Sequence, residues 1–215
     1  MPLHSSDRFH AQKGGASATG RDEFLRAAWR VLVAAEVDPG RLVFVDEMGL
    51  HTSLAPLYGY SPKGERVRLK VRRNRGKNTT LLASMTLLGG MGETMAVEGS
   101  TDREVFEAYL ERVLVPTLES GHIVIVDNLP AHKPARVKEL IEERGCELVY
   151  LPAYSPDFNP IEEAFSKIKG TVRQAGARTR EALVEVLGEA LSAVSVQDAR
   201  GYFEHAGYRP QAQLL

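Results

Sequence analysis

Two apolar runs about eighty residues apart each lead directly into an aspartate. Leu42, Val43, Phe44 and Val45 precede Asp46 in RLVFVDEMGL, and Ile123, Val124, Ile125 and Val126 precede Asp127 in GHIVIVDNLPAH. Continuous runs of this kind read as strands buried on both faces, which calls for a sheet covered by helices. A carboxylate ending such a strand alone is more often a turn residue accepting backbone hydrogen bonds. The repetition is what points to one shared site.

The remaining pattern supplies the layers. RDEFLRAAWRVLVAAE, residues 21–36, has apolar residues at helical spacing and predicts a helix ending near Asp38, Pro39 and Gly40. After the first strand comes a loop over 49–65 and a basic segment. NTTLLASMTLL and ETMAVEG, joined by the turn GGMG, then read as a hairpin. Thr101 or Asp102 can cap a helix carrying Val105, Phe106, Tyr109, Leu110 and Val113 on one stripe, and Gly121 stops it before the second strand. A helix over 134–144 leads to the strand CELVYLP, two helices fill 160–195, and a short one follows near 196–205. Strands separated by helices should be parallel, with the hairpin extending one edge antiparallel. The expectation is a mixed five-stranded α/β sheet flanked by helices, with ligands gathering beyond the carboxyl ends of its parallel strands.

A chain of 215 residues suits one domain, here 21–210, with the Gly- and Ser-rich residues 1–20 as a flexible tail or linker remnant. Hydrophobic residues make up 43% and charged residues 26%, the proportions of an ordinary globular protein, and no apolar run approaches the roughly 20 residues of a membrane span. Residues 1–20 lack the apolar core of a secretory signal, and the single cysteine, Cys146, fits a reducing compartment. A cytoplasmic protein with no membrane role is expected.

The net charge of -1 hides an asymmetry. KGERVRLKVRRNRGK, residues 63–77, holds eight basic residues against Glu65, a local balance of +7 that leaves -8 on the rest of the chain. A solvated surface hairpin is the ordinary reading of such a stripe. Five of the eight are arginines, which leans toward phosphate, and Lys70, Arg72, Arg73, Arg75 and Lys77 are the candidate DNA contacts.

A third carboxylate stands in AYSPDFNPIEEAFSKIKG. Asn159 is a good N-cap, Pro160 fits the first helical position and Glu162 falls at N3, close to a capping box, so Glu162 has a purely structural reading. Helical spacing places Ile161, Ala164, Phe165, Ile168 and Val172 on a buried stripe, with Glu162 beside it and Lys169 and Arg173 on its flank. Glu163 points elsewhere, toward an ion pair with Lys167. Glu162 is thus the carboxylate able to look into a site at the core's edge. Three carboxylates in one cleft need cations, and hard divalent ions suit oxygen ligands, so Asp46, Asp127 and Glu162 are the candidate catalytic and metal residues. Mg²⁺ is the first choice, in a two-ion arrangement suited to phosphoryl transfer.

FVDEMG, VDNLPAH and LPAYSPDFNPIEEAFSKIK resemble the catalytic domain of DDE transposases, in the bacterial insertion-sequence branch of the mariner superfamily. The likeness covers about residues 40–210. Asp46, Asp127 and Glu162 match the family's acidic triad, with 34 residues (128–161) between the second Asp and the Glu. The resemblance implies a ribonuclease-H-like fold, Mg²⁺ or Mn²⁺, hydrolysis at transposon ends, and attack of the released 3′-hydroxyl on target DNA. Double-stranded DNA, a homodimeric synaptic complex and a bacterial, nucleoid-associated setting follow from it. No Ser, Cys or Tyr nucleophile with an adjacent base stands in these motifs, in keeping with a mechanism that needs no covalent protein intermediate.

His132 matches a position where the family often has histidine, and either touches DNA or a metal-bound water, or is a satisfied loop residue. His51 has the same two readings. Trp29 and Tyr60 are expected to be packing residues, and the histidines show no zinc spacing. Full-length relatives carry an N-terminal pair of helix-turn-helix units, for which residues 1–45 offer one helix and a tail. The chain is therefore expected to be one half of a jointly assembled product or a shortened relic. Two further readings stay open: a nuclease that cuts without joining, and a non-catalytic DNA-binding or assembly protein.

Overall fold

The computed structural model describes residues 21–56, 60–66, 68, 76–129 and 132–209. Helix α1, Glu23–Trp29, is capped by Asp22, whose carboxylate accepts from the backbone N–H groups of Phe24 and Leu25, and it runs on as a wider π-type turn, Arg30–Ala35. Strand β1 spans Leu42–Leu50, and the hairpin strands are β2, Thr79–Thr86, and β3, Gly90–Glu98. Helix α2, Arg103–Tyr109, takes Asp102 as its cap and continues through a π-type turn, Leu110–Leu114. Strand β4, Ile123–Val126, helix α3, Ala135–Glu142, and strand β5, Glu147–Tyr150, complete the sheet. Helices α4, Ile161–Ala175, α5, Arg180–Ser192, and α6, Val196–His205, follow.

The sheet order is β3-β2-β1-β4-β5, with β1, β4 and β5 parallel and the hairpin antiparallel on one side. The predicted mixed five-stranded sheet is therefore present. Within the hairpin, β3 begins at Gly90, three residues before the sequence pattern placed it at Glu93, inside the glycine turn. Gly92 lies so close to Ser84 that a Cβ there would stand 2.5 Å from the serine hydroxyl oxygen.

Strand alternation sorts the core into two halves. Phe44, Met48, Leu81, Met85 and Ile125 pack with Ile161, Phe165, Ile168, Leu187 and Phe203 of α4, α5 and α6. Val43, Val45, Leu82, Val124 and Val126 face Phe106, Tyr109, Leu110, Val137 and Ile141 of α2 and α3. The doubly buried strands are thus the middle layer of three, as their unbroken apolar runs require. Trp29 packs as expected, 6% exposed with its indole N–H donating to Tyr208 Oη at 2.9 Å. Tyr60 does not: it is fully exposed.

Candidate active site

Strand β1 does not end at Asp46. It continues four residues to Leu50 because β2 pairs with it as far as Leu50 and Thr79, so Asp46 lies inside the strand, opposite Ala83. Its position in the sheet is nevertheless the one that matters. The parallel register Leu42 with Ile123, Val43 with Val124 and Phe44 with Ile125, counted on two residues, sets Asp46 level with Asp127, which does stand just past the end of β4. Both aspartates fall on the face that carries Phe44, Met48 and Ile125, the face covered by α4.

Glu162, in the first turn of α4, reaches the same place. Asp46, Asp127 and Glu162 line one cleft of about 440 Å³, together with Leu129, Tyr154 and Ser155. Asp46 is 8% exposed, and burial pushes its carboxyl up to about 7. The N–H of Glu47 works against that rise, while the charges of Glu162 and Asp127 add to it. Among the described residues no three acidic, His or Cys side chains are drawn into a ready-made ion cage, so the carboxylates share the cleft without closing on one point.

Each aspartate is held by a second buried side chain. Asn159 Nδ2 donates to Asp46 Oδ2 at 2.9 Å, and the Glu47 N–H donates to Asp46 Oδ1 at 2.7 Å. His132 Nδ1 meets Asp127 Oδ1, which also accepts from the Leu129 N–H at 3.2 Å. The His132 ring is stacked on Phe106 with centroids 4.1 Å apart, and its backbone carbonyl accepts from Tyr150 Oη.

These contacts correct several expectations. Asn159 is not the N-cap of α4: Pro160 takes that place without a side-chain bond, and the Asn159 amide is turned onto Asp46. Glu162 is therefore not part of a capping box. Glu163 pairs with His205 at 2.5 Å, raising that imidazole's pKa, while Lys167 turns to Asp198 and the Ala193 carbonyl, both at 2.8 Å. His132, grouped by sequence with the DNA contacts, is 1% exposed and faces Asp127 instead. His51 Nδ1 accepts from the Ser53 N–H in a local turn. Of the basic stripe, Lys70, Arg72, Arg73 and Arg75 lie outside the described residues. Lys77 is exposed and pairs with Glu98 at 2.5 Å. Lys169 and Arg173 are half-buried on α4.

Sequence reading missed Asn159 as a site residue because its cap signal was strong. It also missed Arg26, which no motif marks and which clamps the loop before α4.

Residues 41–184 match the model of the DDE superfamily endonuclease family, and the chain belongs to that family. It is 30% identical over 115 residues to the transposable element Tcb1 transposase of Caenorhabditis briggsae, covering 50% of this chain and 42% of that one. With the Tc1 transposase of Caenorhabditis elegans it shares 24% identity over 159 residues, covering 72% and 57%. The chain thus spans less than two thirds of the length of these relatives. The Mos1 strand transfer complex superposes with a TM-score of 0.70 at 20% identity, covering 93% of this chain and 63% of that one. The isolated catalytic domain of Mos1 mariner transposase gives 0.53, covering 86% and 83%. The fold is the ribonuclease-H-like mixed sheet. Among the described residues no helix is long and apolar enough to cross a membrane.

Proposed function

We propose that residues 21–210 form the catalytic domain of an insertion-sequence transposase of the bacterial branch, which cuts DNA at transposon ends and joins the released 3′-hydroxyl to target DNA in the cytoplasm. The observation that carries this reading is the meeting of Asp46, Asp127 and Glu162 in one cleft at the carboxyl edge of the parallel strands. Family membership and the transposases among its relatives support it.

The donor set fits a hard divalent cation. All three side chains offer oxygen, and Asp46 sits buried beside the like charges of Glu162, Asp127 and Glu47, which add to the rise in its pKa. Mos1 paired-end complexes have been solved with Mn and with Mg, and the same ions are proposed here, two per site. When bound, such a pair supplies charge stabilisation at the attacking and leaving oxygens of a phosphoryl transfer. The chain's own part is to hold the carboxylates: Asp46 on rigid β1, Asp127 at the tip of β4, and Glu162 on α4.

Double-stranded DNA is the proposed partner, reached by Lys70, Arg72, Arg73, Arg75 and Lys77 between β1 and β2, and by Lys169 and Arg173 on α4. A homodimer in a synaptic complex is proposed as the assembly, and a Mos1 transposase paired-end complex with left transposon end is among the similar structures.

Conversion of supercoiled plasmid to nicked and linear forms tests the reading. Nicking with Mn²⁺ or Mg²⁺ that disappears with EDTA and with Asp127→Ala is the expected outcome. Joining of cut ends to a second DNA separates a transposase from a nuclease that only cuts. Cleavage that survives Asp127→Ala would refute the assignment.

A further inference from the structure

We propose that Asn159 and His132 are the positioning residues of this site, one for each strand aspartate, and that they fix the carboxylates in the orientation that binds the metal. The inference rests on the metal-site reading above and deepens it.

Each strand aspartate is paired with one buried side chain. Asp46 Oδ2 takes its hydrogen bond from Asn159 Nδ2, across 113 positions of sequence, and Asp127 Oδ1 takes one from His132 Nδ1. The Asn159 amide nitrogen can only donate, and the His132 tautomer with its proton on Nδ1 makes the equivalent donation to Asp127. Each partner is itself buried: Asn159 is 5% exposed and His132 1%. The Pro156–Phe158 turn fixes Asn159 from one side and α4 from the other, and the ring of Phe106 lies under His132. Backbone N–H groups of Glu47 and Leu129 add a second donor to each carboxylate. Each aspartate thus accepts two hydrogen bonds that fix its orientation.

The energetic balance argues for function. Asn159 Oδ1 and His132 Nε2 are both buried with no hydrogen-bond partner among the described residues. Leaving a buried polar atom unpaired costs free energy comparable to a lost hydrogen bond, which removes much of the stability these contacts return. Two such costs beside the two aspartates fit residues retained for what they do to the carboxylates. In metal sites, partners of this kind change metal affinity or activity by roughly 10–100-fold when removed.

The test is Mn²⁺ binding by the full chain without DNA, followed by loss of the free-ion electron paramagnetic resonance signal. The variants are Asn159→Ala, His132→Leu, His132→Asn and Asp127→Ala, each measured where thermal melts in EDTA show it folded. Asn159→Ala and His132→Leu should bind Mn²⁺ about tenfold more weakly or worse. His132→Asn returns an amide donor near the position of Nδ1 and should recover most of the affinity. Wild-type binding by Asn159→Ala and His132→Leu, with binding lost in Asp127→Ala, would overturn the inference and leave the metal site standing. His132→Asn as weak as His132→Leu would assign the His132 effect to packing on Phe106 and overturn its positioning role. A wild-type chain that binds no Mn²⁺ would instead remove the metal site itself, and this inference with it.

Discussion

Arg26 Nη1 and Nη2 donate to Asp157 Oδ1 and Oδ2 at 3.0 and 2.6 Å, joining α1 to a turn 131 positions away. The guanidinium is 0% exposed, its Nη1 also donates to Ser155 Oγ at 2.6 Å, and it lies 4.3 Å over the Phe158 ring. Paired donation to a carboxylate is the strongest form of this bond. The Pro156–Phe158 turn leads directly into Asn159 and then Glu162, so α1 braces the loop that presents the third carboxylate. The family match begins at residue 41, after α1, yet the brace makes α1 part of the working unit.

Replacing Arg26 with Met should therefore lower stability by about 2 kcal/mol, reduced from the value for a fully buried pair because Asp157 is half-exposed. For a chain of this size that is a fall in melting temperature of roughly 4–8 °C. Cleavage should fall further than stability does, since Asn159 and Glu162 lose their support. A melting temperature within a degree or so of wild type would show that the brace contributes nothing.

The same pair sets a pH dependence. The hydrogen bond from Arg26 holds the Asp157 carboxyl below its usual value, against the opposing effect of burial. A carboxyl with a lowered folded pKa stabilises the fold above its unfolded value, near 3.9, and loses that contribution as pH falls through the folded value. Asp157→Asn should melt lower than wild type at neutral pH and approach it in acid, below about pH 4. Parallel melting curves across that window would remove Asp157 from the acid response.

The sequence exposed much of this architecture because its strongest signals were local. Apolar runs, a glycine turn and capped amphipathic stripes specify strands, hairpin and helices without reference to distant residues. What it hid was long-range. Whether β1 stops at Asp46 depends on how far β2 pairs with it, and that register is set by residues some thirty positions on. Asn159 carries a sound cap signal, and tertiary structure spends the same amide on Asp46 instead. Glu163 and Lys167 stand at the right spacing for each other, but His205 and Asp198 of α6 offer better partners once that helix docks. Arg26 reads as one more charge on a helix until its partner is known.

Tyr154, on the rim of the cleft, is 59% exposed and has φ 56°, the one left-handed non-glycine among the described residues. For an L-residue that conformation costs roughly 1–2 kcal/mol, and strain of this kind gathers at functional sites. Tyr154→Gly should raise the melting temperature by a few degrees, in line with about 1 kcal/mol recovered. Plasmid cleavage should fall at the same time, because an exposed ring beside the carboxylates is suited to stacking against a nucleic-acid base. A variant both more stable and equally active would show that the ring has no part in substrate binding.

The basic stripe gives a prediction of a different physical kind. Lys77, on the segment leading into β2, is already engaged by Glu98 at 2.5 Å, which leaves the arginines before it as the larger source of positive charge in that connection. Phosphate contacts release counterions, so each one adds close to 0.9 to the slope of log binding constant against log salt. Replacing Arg72, Arg73 and Arg75 together with Ala should weaken binding to DNA of any sequence and flatten the slope by up to roughly 2.7, with the melting temperature unchanged. Fluorescence anisotropy of an arbitrary duplex across a salt series measures it. An unchanged slope would reduce the stripe to a solvated surface, and the DNA path would then have to run along α4, where Lys169 and Arg173 flank Glu162.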